Sequence, residues 1–225
     1  LSEKLIPADM KIALTGHPDR KEEWRQRFGS SCNITEFDLS GEIPAADLIV
    51  DLSFDDQPEN ILSYSFSDTP LLLSAVKIRL SEALHRFGIK NRKNIYGINA
   101  LPGFINRSLQ EISLPAGADK VFFEQISGKT GMQAEWVGDR VGMVSPRILC
   151  MIINEAYYTV QEGTASRKDI DTGMKLGTAY PLGPFEWSEK IGLKTVYEIL
   201  DALYADTREE RYKICPLLKT EAIIL

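Results

Sequence analysis

Proton transfer near neutral pH falls most readily to histidine, because its pKa lies near that range, and this chain has only His17 and His85. His17 follows a glycine in the stretch Gly16-His17-Pro18-Asp19, and His85 stands beside Arg86 in a charged, helix-like segment. Both read as ordinary surface or partly buried side chains. Cys32, Cys150 and Cys215 are odd in number and far apart. They read as reduced thiols of a cytoplasmic protein, not as a disulfide framework or a metal site. There is no Cys/His cluster with ligand spacing, no G-x-S-x-G elbow and no Walker loop, so no metal is expected. The paired acids Asp55-Asp56 and Asp169/Asp171 read as loop and helix-start residues.

The elements that must position these side chains fall into two groups. Short apolar runs at Met10 to Gly16, Ala46 to Leu52 and Pro70 to Val76 read as buried strands, with Asn33 to Leu39, Asn94 to Asn99 and Leu109 to Leu114 as further strands. Runs that are apolar on both faces and separated by helical stretches favour a parallel sheet. Helices are expected over Asp19 to Phe28, where Trp24 and Phe28 lie four apart, and from Val121. After Trp136 the pattern turns helical. Ser145 before Pro146 predicts a helix start, with Ile148, Ile152, Ala156 and Val160 as its stripe and Gly163 as its stop. Ser166 with Asp169 opens a second helix, ended at Gly177. A Pro/Gly corner leads to a short helix closed at Gly192, and helices from about Leu193 and Pro216 follow. The fold class is therefore α/β, with a small sheet domain over residues 1–137 and an all-α domain over residues 138–225.

The net charge of −6 and the scattered basic residues argue against a nucleic-acid partner. No apolar run approaches the roughly 20 residues of a membrane span, and no charged-then-apolar leader opens the sequence, so a cytoplasmic protein without membrane contact is expected.

Four linked blocks in the helical part carry a family resemblance: Asn154-Glu155-Ala156, Glu162-Gly163, Asp169 to Gly177 (DIDTGMKLG) and Tyr180 to Glu186 (YPLGPFE). In their order and spacing they resemble the C-terminal helical domain of 3-hydroxyacyl-CoA dehydrogenases. The resemblance implies a preceding Rossmann-like sheet domain and a homodimer formed through the helical domain. It also implies, as further partners, an acyl-CoA or a full-length family member. Pro181, Gly183 and Pro184 read as a rigid corner, and Asp171 and Thr172 as first-turn residues of their helix. The Ser-Pro-Arg start and the Pro-Phe-Glu-Trp corner also resemble the second, non-catalytic helical repeat of longer family members.

The chemistry that the resemblance implies is hydride transfer between a 3-hydroxyacyl thioester and NAD, and here the sequence departs from the pattern. The phosphate-binding G-x-G-x-x-G corresponds to Gly16-His17-Pro18-Asp19-Arg20-Lys21, where only Gly16 remains. Proline has no amide hydrogen to donate, Asp19 adds negative charge, and Arg20 and Lys21 read as exposed residues of a surface helix. Asp38, 22 residues after Gly16, stands where a carboxylate would meet the adenine ribose, and it also reads as a strand-end aspartate. Few residues separate Asp38 from the next strand, so the sheet domain is reduced. The family's histidine base falls on Asn99, which cannot accept a proton near neutral pH, and its orienting glutamate falls on Glu111, twelve residues on. The substrate serine falls on Lys77 and the asparagine on Pro146. The expectation is a reduced Rossmann-like domain with a degenerate site and no cofactor, with Gly16, Asp38, Asn99 and Glu111 marking the residual positions. The alternative is an active oxidoreductase of fatty acid metabolism, with NAD as its cofactor.

Overall fold

The computed structural model describes residues 10–64, 68–90 and 93–224. It divides into two compact units, one up to Met143 and the other from Val144. In the first, β1 (Lys11–Thr15) leads through Gly16 into α1 (Pro18–Phe28). There follow β2 (Asn33–Glu36), β3 (Leu48–Asp51), α2 (Ile61–Tyr64), β4 (Leu71–Ser74), α3 (Leu80–Arg86), β5 (Ile95–Ile98), β6 (Leu109–Ser113), α4 (Lys120–Thr130) and β7 (Gln133–Val137). The strands form one sheet in the order β2-β1-β3-β4-β5-β6-β7. From β2 to β5 all neighbours are parallel, with Ile12 opposite both Ile34 and Leu48.

Two features correct the sequence reading. The sheet is not wholly parallel, because β6 runs antiparallel to β5. In addition β7, which the sequence pattern did not reveal, pairs parallel to β6. Its Gln-Ala-Glu-Trp-Val is polar and only partly buried, as befits an edge strand. The central strands β3 and β4 are buried at every position, which explains their unbroken apolar runs. Trp24 and Phe28 of α1, with Phe123 and Ile126 of α4, pack with Ile12, Leu14, Val50, Leu72, Tyr96, Ile98 and Ile112 in one core. The chain passes from β1 to β2 on one side and to β3 on the other. The carboxyl ends of β1 and β3 thus flank the crevice where doubly wound folds bind ligands.

The second unit holds α5 (Ser145–Gln161), α6 (Arg167–Thr178), α7 (Pro184–Ile191), α8 (Leu193–Thr207) and α9 (Pro216–Ile224). α5 packs against α7, α8 and α9. Its buried stripe is Leu149, Ile153 and Ala156, with Pro146, Cys150 and Tyr157. Of the expected stripe Ala156 is buried, but Ile148 is 55% exposed and its neighbour Leu149 is buried instead, because α5 is apolar on more than one face. Ser145 does not cap α5 either; Val144 holds that position without a side-chain bond, and Pro146 lies in the first turn. Ser166 does cap α6, accepting from the Asp169 amide, and α6 runs one residue past Gly177 before Ala179 turns left-handed.

Candidate functional site

The helical motif residues serve architecture. Asp171 lies in the second turn of α6, not its first, and its carboxylate caps another helix: it accepts from the Phe185 amide at 2.9 Å. Glu186 folds back to accept from the Gly183 amide at 2.9 Å and pairs with Lys175. Gly183 is obligatory here, since a Cβ would come within 2.4 Å of three Asp171 side-chain atoms. One knot thus joins the DIDT-MKLG block to the YPLGPFE block. Asn154 is buried, donating to the Lys213 carbonyl and accepting from the Cys215 amide, each at 2.8 Å.

In the sheet unit, Gly16 has φ +125°, and a Cβ there would lie 3.0 Å from Leu52 Cβ, so β1 turns tightly beneath the end of β3. The polar groups beyond it bond to one another. The His17 amide donates to Ser53 Oγ at 2.9 Å, and Pro18, as the first residue of α1, has no amide hydrogen to offer. Arg20 is buried, not exposed: its guanidinium donates to the Leu52 carbonyl at 2.6 Å and lies 4.0 Å from Asp55 and 3.9 Å from Asp56. Asp55 is buried too. One carboxylate oxygen accepts from Ser74 Oγ at 2.9 Å, and the other accepts from the amides of Val76 and Lys77 at 2.9 and 3.1 Å. The Lys77 ammonium pairs with Asp56. Beneath this cluster, Asp51 accepts from the Ser53 amide and from Tyr64 Oη, each at 2.9 Å. Burial raises the Asp51 pKa, and burial beside Asp51 raises that of Tyr64.

Asp38 lies just past β2, exposed, and accepts from the Ser40 amide in a local turn that lowers its pKa. Lys21 does not face an anion site; it pairs with Glu36 at the end of β2. His17 is 62% exposed and His85 is exposed on α3. The structure does bring Asn99 and Glu111 together. Asn99, just beyond β5, is 2% exposed and its amide donates to the Glu111 carbonyl at 3.1 Å. The β5–β6 register, with Gly97 opposite Ser113 and Ile98 opposite Ile112, sets the two residues opposite each other on one face. The following loop is held from two sides. Glu23 of α1 accepts from the Gly103 amide through both oxygens, and Gln110 donates to the carbonyls of Phe104, Ile105 and Arg107.

Sequence reasoning missed Ser53, the burial of Arg20 and the part played by Asp55. Their only signal is positional: Ser53, Asp55 and Asp56 follow shortly on the apolar β3, at the same carboxyl edge as Gly16. Among the described residues no group of His, Cys, Asp and Glu could hold a metal ion, and no helix is long and apolar enough to cross a membrane. The three cysteines are free and buried.

A mostly parallel sheet followed by a helical unit defines a Rossmann-like fold with a helical C-terminal unit. Residues 142–222 match the family described as 3-hydroxyacyl-CoA dehydrogenase, C-terminal domain. The family likeness therefore rests on the helical unit. It is 40% identical over 104 residues to the 3-hydroxyadipyl-CoA dehydrogenase of Escherichia coli K12, which covers 46% of this chain and 21% of that protein. It is 42% identical over 94 residues to a probable 3-hydroxybutyryl-CoA dehydrogenase of Bacillus subtilis, covering 42% and 33%. The matched segments therefore span a third or less of these two relatives. The crystal structure of (S)-3-hydroxybutyryl-CoA dehydrogenase from Ralstonia eutropha superimposes with a TM-score of 0.74 at 18% identity, covering 96% of this chain and 94% of that one. That likeness is one of fold.

Proposed function

We propose that this chain is a 3-hydroxyacyl-CoA dehydrogenase homologue whose dinucleotide crevice is closed, retained as a dimerising subunit that binds an acyl-CoA or a protein partner without turning it over. The observation that carries this reading is the mutual bonding of the polar groups beyond Gly16. Ser53 takes the His17 amide that a pyrophosphate would need, and the Arg20–Asp55 pair sits at the carboxyl ends of β3 and β4, with Arg20 on the Leu52 carbonyl and Asp55 on the Ser74 hydroxyl. These residues do not fit a pyrophosphate: the buried Asp55 carboxylate would repel it, and the amides that could cradle it are already used. Asn99 in place of a base adds to the argument, since an amide neither accepts nor releases a proton near neutral pH.

Dimerisation through the helical unit is supported by its uncovered apolar surface. α6 buries none of its residues, Leu176 on it is 84% exposed, and Val144 and Ile148 stand 48% and 55% exposed at the start of α5. A second reading, an active NAD-dependent oxidoreductase interconverting 3-hydroxyacyl-CoA and 3-oxoacyl-CoA, draws on the backbone pairing that keeps the Asn99 and Glu111 positions adjacent. Acetoacetyl-CoA-dependent oxidation of NADH separates the two. The proposal expects no rate above background; steady turnover establishes the second reading. Sedimentation velocity in the same buffer is expected to give a dimer, and a monomer at micromolar concentration removes the dimerising role.

A further inference from the structure

The donors around Asp55 form a finished anion pocket. Ser74 Oγ, the Val76 amide and the Lys77 amide converge on one carboxylate from the end of β4, at 2.9, 2.9 and 3.1 Å. The Arg20 guanidinium closes the fourth side at 4.0 Å. Every part is dry: the Arg20 side chain is 8% exposed, that of Asp55 1%, and Ser74 is fully buried. Two consecutive amides with a hydroxyl and a cation are how proteins bind small oxyanions. Here the acceptor comes from the chain itself, on the short turn Phe54–Asp56 that follows β3.

We propose that this is a monocarboxylate-binding site with Asp55 as its built-in occupant, and that a free carboxylate of matching size takes the place of the Asp55 side chain when that side chain is removed. The inference deepens the closed-crevice reading and rests on the same cluster. In the Asp55→Ala variant the two amides, the Ser74 hydroxyl and the Arg20 guanidinium lose their acceptor in a buried place, and that unmet demand draws in an anion. The volume vacated is that of one carboxylate group, which formate fills. Asp55→Gly vacates one carbon more, which acetate fills. The nearby acidic side chains are Asp56, held by Lys77, and Asp51, held by Ser53 and Tyr64. They limit the pocket to a single negative charge, so inorganic phosphate is expected to serve worse than formate.

Chemical rescue tests this on the full chain. Melting temperatures of wild type, Asp55→Ala and Asp55→Gly are compared in potassium formate, acetate, phosphate and chloride at equal ionic strength. Formate is expected to raise the Asp55→Ala midpoint by about 3 °C or more over chloride. Acetate is expected to do so for Asp55→Gly, and neither should move wild type. Nitrogen-15 spectra of Asp55→Ala are expected to show the Val76 and Lys77 amides shifting saturably with formate. Equal midpoints in formate and chloride for both variants overturn the proposal, as does a formate shift of the same size in wild type. If Asp55→Ala does not fold in chloride, refolding yield is the readout: recovery in formate supports the site, and no gain over chloride overturns it. Should wild type prove to bind NADH, the closed-crevice reading fails while the rescue result stands on its own.

Discussion

Replacing Arg20 by methionine keeps a long apolar side chain in α1 and removes the guanidinium. The Leu52 carbonyl then loses its 2.6 Å donor, and a buried acceptor left so costs about 1–3 kcal/mol. Asp55, with a side chain 1% exposed, loses its cation, and breaking a buried ion pair from one side costs about 3–5 kcal/mol. The lower end applies here, because the separation is 4.0 Å and Asp55 keeps three donors. A net loss of about 4 kcal/mol is expected, which lowers a urea midpoint by about 1–2 M. Arg20→Lys, which restores the charge on a shorter reach, should recover about half of it. Urea unfolding measures the total, and native-state hydrogen exchange of the β1 and β3 amides reports the sheet unit alone. A double-mutant cycle with Asp55→Asn should return a coupling of at least about 1 kcal/mol. A loss below about 0.5 kcal/mol for Arg20→Met would refute the reasoning, since Arg20 would then be a solvated helix cation and the start of α1 open to a phosphate.

In the helical unit, Asp171→Ala is expected to cost about 1 kcal/mol by uncapping α7, and Gly183→Ala about 3 kcal/mol through its clash with Asp171. The double variant should cost less than the sum by at least about 1 kcal/mol, and strict additivity in urea unfolding would contradict the knot. Burial raises the Asp51 pKa in the folded chain, so the folded state binds a proton more tightly than the unfolded one. The stability tied to that proton is present below the ordinary aspartate range and is lost as pH rises through the raised value. Asp51→Asn keeps the acceptor for Ser53, so its stability relative to wild type should rise with pH; a gap that stays flat or shrinks argues against a buried, proton-retaining Asp51. The Cys150 thiol is pushed up to about 12 by burial, so it should resist aromatic disulfide reagents until the helical unit unfolds. Prompt labelling of Cys150 in native protein, located by peptide mass, would contradict that packing.

The parts of the fold that repeat a strong local signal were legible. The apolar runs of β1, β3 and β4, the Trp24–Phe28 face of α1 and the Ser166 cap of α6 each follow from neighbouring residues. The edge strand β7 was not legible, because an edge strand needs no apolar run. The buried stripe of α5 was misread in part, because Ile148 and Ile152 are as apolar as Leu149 and Ile153 and only tertiary packing tells the two faces apart. At the site, the missing amide donor two residues after Gly16 could be read from Pro18 alone. The bonds around it could not, because Ser53 and Asp55 meet His17 and Arg20, and Ser74 meets Asp55, only through the order of strands in the sheet. The same holds for Asp171, whose capping partner lies 14 residues away on the next helix.

The central claim is that the crevice between β1 and β3 admits no dinucleotide. Isothermal titration of the intact chain with NADH, with an active dehydrogenase of the family as positive control, tests it most directly. The closed crevice predicts no saturable heat with NADH up to millimolar concentration. A one-site isotherm with a micromolar dissociation constant would contradict it and favour the NAD-dependent oxidoreductase reading.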